Sequence, residues 1–334
     1  MADTATFVYV SNADSREIRV LKMDPQSGAL TAVESVGVSG TVMPLAVSPD
    51  RRFLYAGLRS KPFSVASFAI DPLTGKLTHL ATRPLADSMP YITTDRSGRY
   101  LLCASYHGDK ITVSPIDERG VVKRTLQVVW TEPHAHAILP DPSNRFVLAT
   151  SLGGDVVMQF RFDASTGKLS SNEPPSVRVS DGAGPRHFRF HPNGRFVYLL
   201  NQLDASVYVF GFDAATGTLA AQQITSALPP GFAGEPSAAD IHLTPDGRFL
   251  YASERASNTL AAFRVDAADG TLTPIGHFAT EDGPRGFAID PAGRFLYVAG
   301  QSSNRMTRCS IDRLTGQLTE LEHYPMGANP NWIE

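Results

Sequence analysis

HPNGRFVYLL at residues 191–200, TPDGRFLYAS at 244–253 and DPAGRFLYVA at 290–299 are one phrase written three times: a Pro-containing turn, glycine, arginine, then an aromatic opening an apolar run. Looser copies read SPDRRFLYAG at 48–57, DRSGRYLLCA at 95–104 and DPSNRFVLAT at 141–150, and TATFVYVSN supplies the aromatic run without its turn. With the aromatic as anchor, the chain is marked at Phe7, Phe53, Tyr100, Phe146, Phe196, Phe249 and Phe295, 46 to 53 residues apart. A period of that size is the mark of a repeat architecture. A second phrase, Asp-x-x-x-Gly-x-Leu, keeps the same beat in DPQSGAL, DPLTGKL, DASTGKL, DAATGTL, DAADGTL and DRLTGQL, with the looser DERGVV in the third slot.

Between these turns lie four short alternating or β-branched runs per repeat, such as HFRFHP, FVYLLN, SVYVFGFD and LAAQQIT, and no segment carries a helical period. Four strands per repeat and seven repeats predict an all-β, seven-bladed β-propeller spanning residues 1–334 as one domain. Within a repeat the order is inner strand, Pro-x-Gly-Arg turn, second strand, loop, third strand, Asp-x-x-x-Gly turn, fourth strand. The chain begins at a second strand and ends in NPNWIE, similar to the start of an inner strand such as GPRHFRF. The C-terminal strand is therefore expected to pair with the N-terminal strands and close the ring, because an open propeller would leave unpaired blade faces. Antiparallel succession puts both tight turns on one face. The other face collects the inner-strand starts and second-strand ends, and chemistry is expected there.

The chain carries 30 Lys+Arg against 33 Asp+Glu, a net charge of −3, which points to neither nucleic acid nor an anionic membrane as partner. MADTATFVYV lacks a basic leader and a long apolar run, so the expected location is cytoplasmic. Cys103 and Cys309 sit in apolar strand patterns far apart and are expected as core fillers, not as a disulfide. A closed ring needs no partner for stability, so the chain is expected to be a monomer.

Superposing the repeats locates the site. Ten residues before the anchor stand Met43, Pro90, His136, Arg186, Ala239 and Arg285, with Asn331 on the closing strand. Six residues after it stand Ala13, Arg59, Tyr106, Leu152, Gln202, Arg255 and Gln301. The two rings converge on one mouth rich in arginine, a lining suited to an anionic, oxygen-rich small molecule. The competing reading pairs the arginines with carboxylates such as Glu254 or Asp240 and makes them blade-to-blade ties. His134 and His136, two apart in PHAHAI, would face one side of a strand. No third ligand is placed to complete a zinc site, and calcium would need acidic ligands where this ring is basic, so neither metal nor cofactor is expected. His136 suits a general base, with arginines around a developing oxyanion at an ester or lactone carbonyl. The loop ALPPGFAGEP at 227–236 is either a partial lid or a surface insertion.

GAGPRHFRFHPNGRFVYLLNQL at 182–203, SAADIHLTPDGRFLYASERASNTL at 237–260 and GPRGFAIDPAGRFLYVAGQ at 283–301 closely resemble the lactonase family of seven-bladed propellers. That family includes the bacterial propeller-type 6-phosphogluconolactonases and, more distantly, the carboxy-muconate lactonizing enzymes. The resemblance implies hydrolysis of a sugar-acid lactone, 6-phosphogluconolactone first, in the pentose phosphate route of carbohydrate metabolism. It places the catalytic histidine at His136 and the catalytic arginines at Arg186 and Arg255. Where the family carries a glutamate this chain has Gln202, a neutral amide that cannot take a proton. Three outcomes follow: His136 alone activates water with Gln202 orienting it, a carboxylate such as Glu235 or Glu254 substitutes, or the site binds without turnover. A muconate-type cycloisomerase and a non-catalytic ligand-binding propeller are the alternative functions. Arg59, Tyr106, His134, His187, Asp240, His242, Arg285 and Gln301 complete the expected substrate contacts.

Overall fold

The computed structural model describes residues 5–334. Twenty-eight strands, β1 to β28 in chain order, form seven four-stranded antiparallel sheets, and six of these are built from consecutive strands. The seventh has the order β28-β1-β2-β3, joining β28 (Pro330–Ile333) to β1 (Thr6–Asn12), β2 (Glu17–Met23) and β3 (Leu30–Gly37). Val10 pairs with Ile333 and Ser11 with Trp332, and Tyr9 and Glu334 exchange backbone hydrogen bonds of 2.8 and 2.9 Å. The expected closure by the C-terminal strand is present. Each sheet is one blade: in the fourth full repeat, β16 (Pro185–Phe190) is innermost, followed by β17 (Phe196–Asn201), β18 (Ser206–Asp213) and β19 (Thr218–Ser226).

The two repeated phrases interlock neighbouring blades. Each aromatic anchor lies on the glycine of the next blade's Asp-x-x-x-Gly turn: Phe7 on Gly75, Phe53 on Gly120, Tyr100 on Gly167, Phe146 on Gly217, Phe196 on Gly270, Phe249 on Gly316 and, across the closure, Phe295 on Gly28. These glycines have φ between 70° and 79°, and a Cβ on any of them would overlap the ring beneath. Glycine is therefore required twice, for its backbone and for its missing side chain. Two residues after the anchor, the buried hydroxyls of Tyr9, Tyr198, Tyr251 and Tyr297 donate to the carbonyls of Gly75, Gly270, Gly316 and Gly28 at 2.6–2.9 Å. The arginine before the anchor stacks on its ring and reaches the same turn, as Arg145 does over Phe146 to the Ala214 carbonyl at 2.6 Å and Arg195 over Phe196 to Ala268 at 3.0 Å. The beat of the sequence is thus the beat of the blade interfaces.

Apolar side chains between blades make the core, and the buried Cys103 and Cys309 are free thiols within it. The loose third Asp-x-x-x-Gly slot accompanies the shortest outer strands: β11 (Gln127–Trp130) has four residues where β3 has eight. Among the described residues, no helix is long and apolar enough to cross a membrane.

Candidate active site at the channel mouth

A β-bulge aims the site residues. The inner strands β4 (Val42–Val47), β12 (Ala135–Pro140), β16, β20 (Ala238–Leu243) and β24 (Pro284–Ile289) all slip register against their second strands at one place, ten to nine residues before the anchor. A bulge breaks simple alternation and re-aims side chains. Arg186 and His187, adjacent in sequence, therefore both enter the channel, Arg186 at the mouth and His187 beneath it.

The mouth gathers His136, Arg186, Arg255, Arg285 and Arg59. Arg186 is 1% exposed; its Nε donates to Gln202 Oε1 at 3.1 Å and its Nη1 to the Ala239 carbonyl. Arg255 Nε donates to the Ser237 carbonyl at 2.9 Å, at the end of loop 227–236. Arg59 Nε donates to Ser88 Oγ at 2.9 Å, and its Nη1 lies 3.2 Å from Met43 Sδ. Among the described residues the arginines engaged with carboxylates are others, including Arg189, Arg305 and Arg308. Glu254 is consumed by the backbone N–H groups of Ser237 and Ser257, both at 2.5 Å. Asp240 is held by His187 and His242. The carboxylate-tie reading fails for these four arginines, and Glu254 is not free to act as a base.

The mouth consequently holds four cations that, among the described residues, have no carboxylate at ion-pairing distance, with Glu254 and Asp240 acting on them only from farther off. Burial and crowding by Arg255 and Arg59 pull Arg285 down, and burial with Arg285 and Arg255 does the same to Arg186. Burial first, then Arg186, His187, Arg285 and Arg255, hold His136 well below the ordinary histidine range, so it is a neutral imidazole at pH 7. Its Nδ1 is buried without a hydrogen-bond partner, which leaves Nε2 as the atom with access to the mouth.

Below lies a second layer. His187 Nδ1 and Asp240 Oδ1 are 2.8 Å apart, and burial and Arg186 bring His187 to about 3 despite that carboxylate. Tyr91 and Trp332 meet the His187 ring edge-on at 5.1 and 5.7 Å. Deeper still, His242 Nε2 lies 3.1 Å from both Asp240 Oδ2 and Arg189 Nη2, and Arg189 Nη1 donates to the Tyr91 hydroxyl at 3.0 Å. Asp240 and His242 thus face one another inside the channel instead of lining its mouth.

The expected partners at the rim separate from the centre. His134 does not share a strand face with His136: it precedes β12 with φ 63°, outside the alternation, and stacks on Tyr106 at 4.3 Å with Nδ1 3.1 Å from the Tyr106 carbonyl. Gln301 Nε2 turns to Asn329 Oδ1 at 2.8 Å, in a polar hollow with Asp14, Ser302 and Asn304. Glu235 is exposed on loop 227–236. Sequence reasoning missed Arg189, Tyr91 and Trp332. Continuing the strand alternation from His187 would have found Arg189, and a third superposed ring, nine residues before the anchor, would have found the two aromatics. Nothing in the sequence signals that Ser88 and the Ser237 carbonyl hold arginines.

A family model described as lactonase, 7-bladed beta-propeller, matches residues 5–334. A 6-phosphogluconolactonase of Pectobacterium atrosepticum is 42% identical over 282 residues, 84% of this chain and 84% of that protein. One of Yersinia pestis is 40% identical over 282 residues, 84% of this chain and 83% of the relative. Among solved structures, a periplasmic gluconolactonase from Pseudomonas aeruginosa superposes with TM-score 0.92 at 28% identity, over 98% of each chain. A protein from Bacteroides fragilis described as a putative 6-phosphogluconolactonase gives 0.91 at 28% identity, over 100% of this chain and 98% of that one.

Proposed function

This chain belongs to the seven-bladed β-propeller lactonase family, and on that premise we propose that its channel mouth carries the hydrolysis of 6-phosphogluconolactone to 6-phosphogluconate. It is a lactonase, acting on a small-molecule lactone in the pentose phosphate route. The observation that carries the residue assignment is the pairing of a buried neutral histidine with four guanidinium groups that have no carboxylate partner.

His136 Nε2 takes a proton from water, and the oxygen attacks the lactone carbonyl carbon. Charge moves to the carbonyl oxygen, where Arg186 and Arg255 stabilise it. The tetrahedral centre then collapses, the carbon bond to the ring oxygen breaks, and protonated His136 returns its proton to that oxygen. A carboxylic acid and a hydroxyl result, and the acid releases its proton to solvent as the carboxylate product leaves. Arg285 and Arg59 hold the phosphate, for which guanidinium forks are suited. Gln202 acts through Arg186: its carbonyl oxygen orients that guanidinium without neutralising it, so catalysis here uses no carboxylate at the family's glutamate position. The chain works in the cytoplasm as a monomer.

Initial rates on freshly made 6-phosphogluconolactone and on unphosphorylated gluconolactone, corrected for spontaneous hydrolysis, test this. His136→Ala should lower kcat by roughly 10²- to 10⁴-fold, the span of a lost general base. Equal rates for the variant and the native protein would remove His136 from the mechanism. Absence of turnover of either lactone by the native protein would remove the function.

A further inference from the structure

A general base at His136 Nε2 must carry its own proton on Nδ1, the less favoured tautomer of a free imidazole, so something must accept a hydrogen bond from Nδ1. No backbone carbonyl or carboxylate among the described residues bonds this ring, and Nδ1 is buried and unpartnered. One other imidazole nitrogen beside it is in the same condition: His187 Nε2, also buried and unpartnered. The two rings meet with centroids 5.1 Å apart and planes at 64°. Imidazoles joined by an N–H···N bond of about 3 Å have centroids roughly 5 Å apart, so the rings stand at hydrogen-bonding range and need only to turn. Catalytic hydrogen bonds are often unaligned without substrate and tighten when it binds.

The far side of His187 decides which way the bond runs. Its Nδ1 faces Asp240 Oδ1 at 2.8 Å. The Ile241 N–H on Oδ1 at 2.9 Å, the Phe287 N–H on Oδ2 at 3.4 Å and the Arg189 guanidinium 3.8 Å from Oδ1 support an ionised carboxylate. A carboxylate only accepts, so the proton of His187 lies on Nδ1 and its Nε2 carries a lone pair.

We propose that Asp240 and His187 are positioning residues that set the tautomer of His136: Asp240 accepts from His187 Nδ1–H, and His187 Nε2 accepts from His136 Nδ1–H. The Nε2 of His136 is thereby left as the lone pair that meets water. This chain of two imidazoles stands where a catalytic triad has one, and it rests on the lactonase reading above. Asp240 never touches substrate; it acts from the second layer through two rings. The same chain accounts for a chemistry that proceeds with glutamine at position 202.

The test is the nitrogen-15 spectrum of the imidazoles in the full-length protein at neutral pH, with kinetics on 6-phosphogluconolactone. The native protein should show both His136 and His187 as Nδ1–H tautomers. In Asp240→Asn the amide donates to His187 Nδ1, the chain reverses, and His136 should carry its proton on Nε2. With it, kcat should fall roughly 10²- to 10⁴-fold, as when a triad carboxylate becomes an amide, with KM within about threefold. Added to His136→Ala, the same change should cost nothing further. His187→Gln, which breaks the chain without touching the Asp240–His242 pair, should also release the His136 tautomer, and it serves if Asp240→Asn does not fold. An Nε2–H tautomer at His136 in the native protein overturns the proposal. So do variants that leave tautomer and kcat unchanged while His136→Ala is inactive. If the native protein turns over no lactone, the function falls, but the spectrum still decides the tautomer.

Discussion

At the scale of single residues, the decisive fact is a neutral histidine among unpaired cations. The depression of His136 below the ordinary range by burial and arginines means that its base form survives to lower pH. The acid limb of kcat/KM, which reports the free enzyme, should therefore lie well below pH 6.5. Binding of the phosphorylated substrate offsets the arginine charges, so the acid limb of kcat should lie at higher pH than that of kcat/KM. Coincident limbs near 6.5 in both profiles would show that the arginines do not bear on His136. Gln202 gives a second prediction. In Gln202→Glu a carboxylate beside Arg186 Nε, now 3.1 Å from the amide oxygen, would pair with that cation. Weakening of its contact to the developing oxyanion, worth about 1.5–3 kcal/mol, should lower kcat roughly 10- to 100-fold on phosphorylated and unphosphorylated lactone alike. It should also move the acid limb of kcat/KM upward. Steady-state kinetics across pH check both.

At the scale of elements, the repeated phrases separate stability from chemistry. Gly270 takes the Phe196 ring at φ 77° on the turn face, away from the mouth. Gly270→Ala forces a Cβ into that ring and into left-handed backbone, a cost of about 2–5 kcal/mol. Calorimetry should show a melting temperature lower by several degrees, with kcat and KM at 25 °C unchanged. Gly286 lies on the bulge of β24, where a Cβ would come within 2.5 Å of the Asn331 carbonyl oxygen on the closing strand. Gly286→Ala should lower both melting temperature and activity, because it displaces the strand that carries Asn331 and Trp332 into the channel. Equal kinetic effects of the two substitutions would mean that the faces are not independent. Anchors, turns and glycines were all legible from the period. The bulges were not, because one extra residue in an inner strand leaves the spacing to the anchor unchanged, and simple alternation then misplaces His187 relative to Arg186.

At the scale of the whole molecule, a chain with net charge −3 concentrates four arginines on the axis of a ring. Anion attraction into such a mouth is screened by salt over about 8–10 Å. Raising ionic strength from about 0.02 to 0.5 M should increase KM for 6-phosphogluconolactone several-fold and leave KM for unphosphorylated gluconolactone nearly unchanged. The same rise for both lactones would place the phosphate away from Arg285 and Arg59.

By itself the sequence determined the number of blades and the closure of the ring. Each of these follows from a period, and a period survives in one dimension. Only the tertiary structure decided which charges are free. It committed Glu254 to backbone N–H groups and Asp240 to His187, left Arg59, Arg186, Arg255 and Arg285 without carboxylate partners, and set two orphan imidazole nitrogens side by side. Pairing of this kind depends on distances of a few ångströms between blades some 50 residues apart, and no spacing along the chain encodes it.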